Sequence, residues 1–221
     1  HAGITRLFDL NGYGSRAATQ RLLSQIEHFQ PDVIWLHNLH GYYLNIELLF
    51  KWLKEHSQIK ILWTLHDCWA FTGHCAHFSA AKCDRWKSGC GDCPQLKAYP
   101  KTYGVDHTQR NYRQKQACFT GLANLTIIVP SEWLARTVKQ SFLKEYPVEV
   151  VHNQIDKSLF KPTPSDFREQ YGLDGKTVIL GAASVWDKEK GLLDFCRLRE
   201  KLDSRFAIVL VGVTEKQKSR L

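Results

Sequence analysis

Three short stretches carry residue types that can do chemistry. His37-Asn38 and His66-Asp67 each set an imidazole beside a polar neighbour, and Ser184-Val185-Trp186-Asp187-Lys188-Glu189-Lys190-Gly191 is rich in charge. An imidazole gains or loses a proton near neutral pH and can act as acid, base or hydrogen-bond donor. One such histidine would serve equally well as a structural cap, but two at comparable places point to a shared cleft. Asp67 could orient the His66 ring or anchor its loop. Lys190 falls where a helix should start, and helix N-terminal amides already favour an anion, so a lysine there suits a phosphate or diphosphate. A solvated charged loop would have the same composition.

The cysteines suggest different chemistry. Five of the seven lie between Cys68 and Cys93, and four of these run Cys75-x7-Cys83-x6-Cys90-x2-Cys93. Four thiolates that include a C-x-x-C can close a tetrahedral zinc site and staple a segment lacking a core of its own. His74 or His77 could replace one thiolate, and reduced thiols or a disulfide remain open alternatives. Cys68, Cys118 and Cys196 read as small core residues. Gly12-Tyr13-Gly14-Ser15-Arg16-Ala17 has the spacing of a dinucleotide loop, but no clean strand precedes it and no acidic residue is placed for a ribose, so it reads as a glycine-rich helix start.

The elements that must position these residues alternate. Apolar residues recur at helical spacing over 19–29 and 45–55, and β-branched or aromatic runs over 33–36 and 59–65 read as strands ending at His37 and His66. After the cysteine-rich stretch the pattern resumes, with a strand over 125–129, a helix from Pro130-Ser131 that turns Phe142 inward, and a strand over 148–151. Strand–helix–strand with short connections predicts a parallel α/β sheet, which binds ligands at the carboxyl ends of its strands. Residues 1–152 then form one domain with an insertion over 68–100, residues 153–164 a linker, and 165–221 the start of a second domain. That second part begins with a short helix capped by Ser165 and holds one βαβ unit, with strands over 177–182 and 206–211 and a helix over 192–202. One such unit cannot cover both faces of a parallel sheet.

The chain has 221 residues, 43% of them hydrophobic, and a formal net charge of +8. This composition excludes a disordered or low-complexity chain. No apolar run approaches the ~18 residues of a membrane span. The charge favours polyanions such as nucleic acid, nucleotide phosphates or an acidic membrane face, with a merely solvated basic surface as the plain alternative; the basic residues are scattered, and no block of five like charges marks a nucleic-acid arm. An odd cysteine count without a signal peptide favours a reducing, cytoplasmic setting. Methionine is absent throughout, so His1 is not expected to be the natural start.

These segments resemble the retaining, nucleotide-sugar glycosyltransferases of family four, which have the GT-B fold, and in particular their colanic-acid and exopolysaccharide branch in bacteria. The resemblance is carried by Leu36-His37-Asn38-Leu39-His40-Gly41-Tyr42-Tyr43-Leu44-Asn45, by Trp63-Thr64-Leu65-His66-Asp67-Cys68-Trp69-Ala70-Phe71-Thr72-Gly73-His74-Cys75, and by Gly89-Cys90-Gly91-Asp92-Cys93-Pro94. Pro130-Ser131-Glu132-Trp133-Leu134, His152-Asn153-Gln154-Ile155-Asp156 and Trp186-Asp187-Lys188-Glu189-Lys190-Gly191 fit as well.

The resemblance implies an incomplete Rossmann-like N-terminal domain on the acceptor side and the first part of a donor-binding domain, in a chain truncated at both ends. The family's first strand and its C-terminal acidic pair are missing, Gly181-Ala182-Ala183 stands where many relatives carry an arginine, and Gln154 replaces a linker glycine. His66, with Asp67 beside it, would flank the transferred sugar and stabilise charge in an oxocarbenium-like transition state. Ser184, Lys190 and Gly191 would hold the donor diphosphate. His37, Asn38, His40, Gly41 and Tyr42 would line the acceptor side. The partners implied are a nucleotide-sugar donor, a lipid-linked saccharide acceptor and the anionic inner face of the cytoplasmic membrane. No catalytic metal is expected, so zinc at Cys75, Cys83, Cys90 and Cys93 would be structural. The competing readings are a zinc-stapled basic module that grips nucleic acid and a non-catalytic homologue that binds sugar nucleotide.

Overall fold

Four short apolar runs pair side by side in the computed structural model, which describes residue 3, residues 7–186 and residues 190–219. They are β1 (Val33–Leu36), β2 (Lys60–Thr64), β3 (Leu125–Val129) and β4 (Val148–Val150), in the spatial order β1-β2-β3-β4. Every pairing is parallel, with Leu36 opposite Trp63, Thr64 opposite Ile128 and Val129 opposite Val150. The strands that sequence patterning predicts are therefore present, each within a residue of its expected ends. Because the connections are helical, all carboxyl ends fall on one edge.

The helices between them are amphipathic or capped for identifiable reasons. α1 (Arg16–Phe29) begins three residues before the expected start, since Arg16, Ala17 and Ala18 are good helix formers. Thr19 donates to the Ser15 carbonyl at its first turn. α2 (Ile46–Glu55) is capped by Asn45, whose Oδ1 accepts from the Leu48 amide at 3.0 Å. It buries Ile46, Leu49, Phe50, Trp52 and Leu53. α3 (Thr108–Phe119) was not foreseen from the sequence; its inward face is Thr108, Asn111, Tyr112, Lys115 and Phe119, largely polar. α4 (Glu132–Val138) is capped by Ser131 and ends earlier than expected. Beyond it the chain turns tightly, with Gln140 bonded to Thr137 and the Ser141 hydroxyl bridging the Val138 carbonyl and the Leu143 amide. Phe142 still packs against the core, but from this turn.

Aromatic packing ties the sheet to the helices. Phe50 of α2, Phe119 of α3 and Trp63 of β2 are essentially fully buried, with Phe50 and Phe119 centroids 4.5 Å apart and Trp63 and Phe119 centroids 4.9 Å apart. The long connection from β2 to α3 holds three single 3-10 turns, at Trp69–Phe71, Ser79–Ala81 and Arg85–Lys87. Trp69, Phe71 and Trp86 are buried there, so these aromatics are packing groups.

The chain divides into two units, His1–Gln154 and Ile155–Leu221. In the second, α5 (Phe167–Gln170) is followed by β5 (Thr177–Ala182), α6 (Leu192–Lys201), β6 (Phe206–Val211) and α7 (Glu215–Lys218). β5 and β6 pair in parallel, with Gly181 opposite Leu210. A side chain at Gly181 would collide with Leu210, Phe195 and Trp186, so glycine lets helix and strands close together there. Leu180 and Leu193 remain exposed in this unit, as expected of a single βαβ unit.

Candidate active site

Parallel register and the two-residue period of extended chain bring the two predicted histidines together. Trp35 and His37 project from one face at the end of β1, and Thr64 and His66 from the neighbouring end of β2. Trp35 Nε1 donates to Thr64 Oγ1 at 2.8 Å, and one step outward His37 Nδ1 lies 3.1 Å from His66 Nε2. The imidazole rings stack with centroids 5.4 Å apart. One nitrogen of the pair must donate and the other accept, so a single proton lies between them. His37, Asn38 and His66 are all exposed. The recess behind them holds only about 10 Å³, so a ligand would meet the exposed rim.

His40 and Asp67 sit behind that rim. His40 is buried and its Nε2 donates to Asp67 Oδ2 at 2.8 Å, while the Tyr99 hydroxyl lies 3.2 Å from its Nδ1. The other Asp67 oxygen accepts from the Trp69 amide at 2.8 Å. Both carboxylate oxygens are thus engaged in holding the loop, which favours the anchoring role over orientation of His66. Burial alone would raise the Asp67 carboxyl, but the His40 bond and charge and the Trp69 amide outweigh it and hold the group below its ordinary value.

The segment from residue 38 to residue 45 is pinned at several points. Tyr43 donates to the Asn38 carbonyl and Ser15 to the Tyr42 carbonyl, each at 2.7 Å. Tyr42 has φ 62°, and Gly41 is exposed beside it. The glycine-rich stretch serves the same scaffold: Gly12 offers its carbonyl to the Ile46 amide, and a side chain on it would press on Trp69 and Ile46. At the same sheet edge His152 Nδ1 lies 3.0 Å from the Pro130 carbonyl.

In the second unit, Gly191 takes φ 74° as the residue before α6, and no side chain caps that helix. Lys190 precedes it and Ser184 is exposed in the same loop. The loop is fixed at its start, because Trp186 donates to the Val211 carbonyl and Gln217 donates to that of Trp186. Asp187, Lys188 and Glu189 lie outside the described residues.

The four cysteines singled out by spacing converge. Cys75, Cys83, Cys90 and Cys93 line one cavity together with His74. All seven cysteines are free thiols. Burial, reinforced by the neighbouring sulfurs, pushes Cys75 up to about 12 and Cys93 to about 11. Among the described residues no group of three or more His, Cys, Asp or Glu side chains is arranged, as it stands, to hold a metal ion.

Two buried polar groups escape sequence reasoning. Lys115 is buried, donates to the carbonyls of Trp69 and Thr72 at 2.8 and 3.0 Å, and lies 3.5 Å from the Trp69 ring centroid. Burial pulls its ammonium down to about 7 against the opposing pull of Asp9 and the nearby cysteines. Asp9, also buried, accepts from His74 Nδ1 at 2.6 Å and from the Asn111 side chain.

A parallel Rossmann-like sheet of the GT-B type, with imidazoles, a carboxylate and an asparagine gathered at its carboxyl edge, defines the class. The family model described as Glycosyltransferase Family 4 matches residues 2–159, and the chain belongs to that family. Among curated proteins it is similar to WcaC of Escherichia coli (strain K12), named as a colanic acid biosynthesis glycosyl transferase, with 32% identity over 159 residues. That match covers 69% of this chain and 38% of the relative, so the chain spans well under half of the relative's length.

Proposed function

We propose that the protein takes part in transfer of a sugar from a nucleotide-sugar donor to a saccharide acceptor in bacterial exopolysaccharide synthesis, with retention of anomeric configuration. The observation that carries this reading is the His37–His66 pair at the exposed carboxyl edge of a parallel sheet, in a chain of Glycosyltransferase Family 4 whose relative is named for colanic acid biosynthesis.

Each group has a defined task. His66, its Nε2 engaged by His37, meets a hydroxyl of the transferred sugar and stabilises positive charge as the glycosidic bond to the diphosphate breaks. His37 fixes the proton on that shared bond and so the orientation of the His66 ring. Asn38, Gly41 and Tyr42 form the acceptor side, with His40 and Asp67 holding the loop beneath them. Lys190 and the amides at the start of α6, with Ser184 and Gly191 in the same loop, receive the leaving diphosphate, where negative charge accumulates. No divalent metal is needed for this charge balance. The acceptor is lipid-linked, and the net charge of +8 supports peripheral contact with the anionic cytoplasmic face of the membrane.

A panel of nucleotide-sugars assayed with the full-length protein, read as transfer or hydrolysis, tests the reading. His66→Ala is expected to cut turnover at least ~100-fold with donor affinity little changed, the size of effect typical of a positioned catalytic side chain. Weakened donor binding with unchanged turnover would contradict the role of His66. Failure to bind any nucleotide-sugar, together with salt-sensitive nucleic-acid binding, would contradict the whole reading.

A further inference from the structure

The connection between β2 and α3 has no element longer than a 3-10 turn, yet it buries Trp69, Phe71, Ala76 and Trp86. Chain this irregular needs something besides secondary structure to hold it. At its centre Cys75, Cys83, Cys90 and Cys93 line a cavity of about 20 Å³, room for one ion or water-sized particle. Two backbone amides already serve the sulfurs: Gly73 donates to Cys90 Sγ at 3.2 Å and Gln95 to Cys93 Sγ at 3.4 Å.

An independent observation comes from His74, which lines the same cavity and is 2% exposed. Its Nδ1 donates to the buried Asp9 carboxylate, while its Nε2 has no hydrogen-bond partner. A buried ring nitrogen left unpaired is costly, and a carboxylate on the opposite nitrogen is the usual companion of a histidine that faces a metal. Lys115 adds a third feature, a buried amine that donates to the carbonyl of Thr72, a residue lining the same cavity.

We propose that Cys75, Cys83, Cys90 and Cys93 hold one structural zinc ion, with the Nε2 of His74 at the wall of the site. Four thiolates around a divalent ion leave an excess of negative charge, which Lys115 offsets. The side chains do not stand closed around an ion, but a change of rotamer moves a cysteine sulfur by roughly 3 Å, enough to bring sulfurs lining one small cavity to a common zinc. Each thiol gives up its proton to the solvent as its sulfur binds, and no electron is exchanged. The ion would fix the loop that follows His66-Asp67, since Cys68 bonds Ala76, Thr72 bonds Cys75 and Gly73 bonds Cys90 across it.

This inference does not depend on glycosyl transfer, and its test reads metal directly. Protein purified without chelator should contain about one zinc per chain, and cobalt exchanged for it should give the intense sulfur-to-cobalt absorption of a tetrahedral thiolate site. Removal of the ion should lower the melting temperature, and zinc should restore it. Cys75→Ser and Cys90→Ser should each weaken metal retention at least ~10-fold, while Cys118→Ser retains the metal. Because a variant can fail to fold, the wild-type cobalt spectrum stands as the variant-free measurement. Absence of zinc together with no cobalt uptake, cobalt bound without thiolate bands, or a disulfide among these four cysteines would each overturn the proposal.

Discussion

At the scale of single residues, the two histidine–polar pairs have unlike roles. His66 and His37 share one hydrogen bond on the exposed rim, whereas Asp67 spends both oxygens on His40 and the Trp69 amide. The pH dependence of that anchor has a definite sign. Asp67 is held below the ordinary carboxylate value of 3.8 in the folded chain, so its stabilisation is complete above that value and is lost as pH falls through the lower folded one. Asp67→Asn keeps an acceptor for the Trp69 amide but loses the charge facing His40. It is expected to cost about 1–3 kcal/mol at neutral pH. In urea unfolding the gap between wild type and variant should narrow below pH 4; a gap independent of pH would remove the charge from the explanation. The sequence Leu-His-Asp left orientation and anchoring equally open, because the ring that meets Asp67 is that of His40, brought in from a segment distant in the chain and held there beside the Tyr99 hydroxyl.

At the scale of elements, the strands and α1, α2 and α6 were legible because apolar residues repeat with the period of the structure they form. α3 was not. Its buried face includes Thr108, Asn111 and Lys115, and a helix whose inward side is polar leaves no apolar stripe to read. The side-chain donors on that face find partners distant in sequence, Lys115 the Trp69 and Thr72 carbonyls and the Asn111 amide the Asp9 carbonyl. α3 also closes against the cysteine-rich connection at one glycine. A side chain at Gly73 would fall on the Thr108 carbonyl and lie 2.8 Å from Cys90 Cβ, whereas one at Gly91 meets nothing nearer than Gln109 Cβ at 3.7 Å. Gly73→Ala should therefore destabilise the protein by about 1–3 kcal/mol, the range for forced overpacking. Gly91→Ala should stay within about 0.5 kcal/mol of wild type, as for an ordinary surface change. Equal melting temperatures for the two variants would show that the close approach of α3 is not as described.

At the scale of the whole molecule, the two units differ in how much core they own. The connected buried cluster runs from Leu23 to Tyr146, entirely within the first unit. Among the described residues of the second, the buried hydrophobic side chains are Leu173 and Trp186. Residues 7–154 expressed alone should unfold in denaturant as one cooperative transition followed by tryptophan fluorescence, and residues 155–221 alone should show none. A cooperative transition in the shorter piece would show that its single βαβ unit suffices. By itself the sequence determined the α/β class, the parallel strands with their ends at His37 and His66, and the family, because these depend on local periodicity and on motifs contiguous in the chain. Only the tertiary structure decided that His37 and His66 share a bond, that Asp67 anchors rather than orients, that four cysteines and His74 line one cavity, and that a lysine lies buried against Thr72 of its wall. Those facts rest on strand register and on contacts between segments tens of residues apart, where no local pattern records which side chain will meet which.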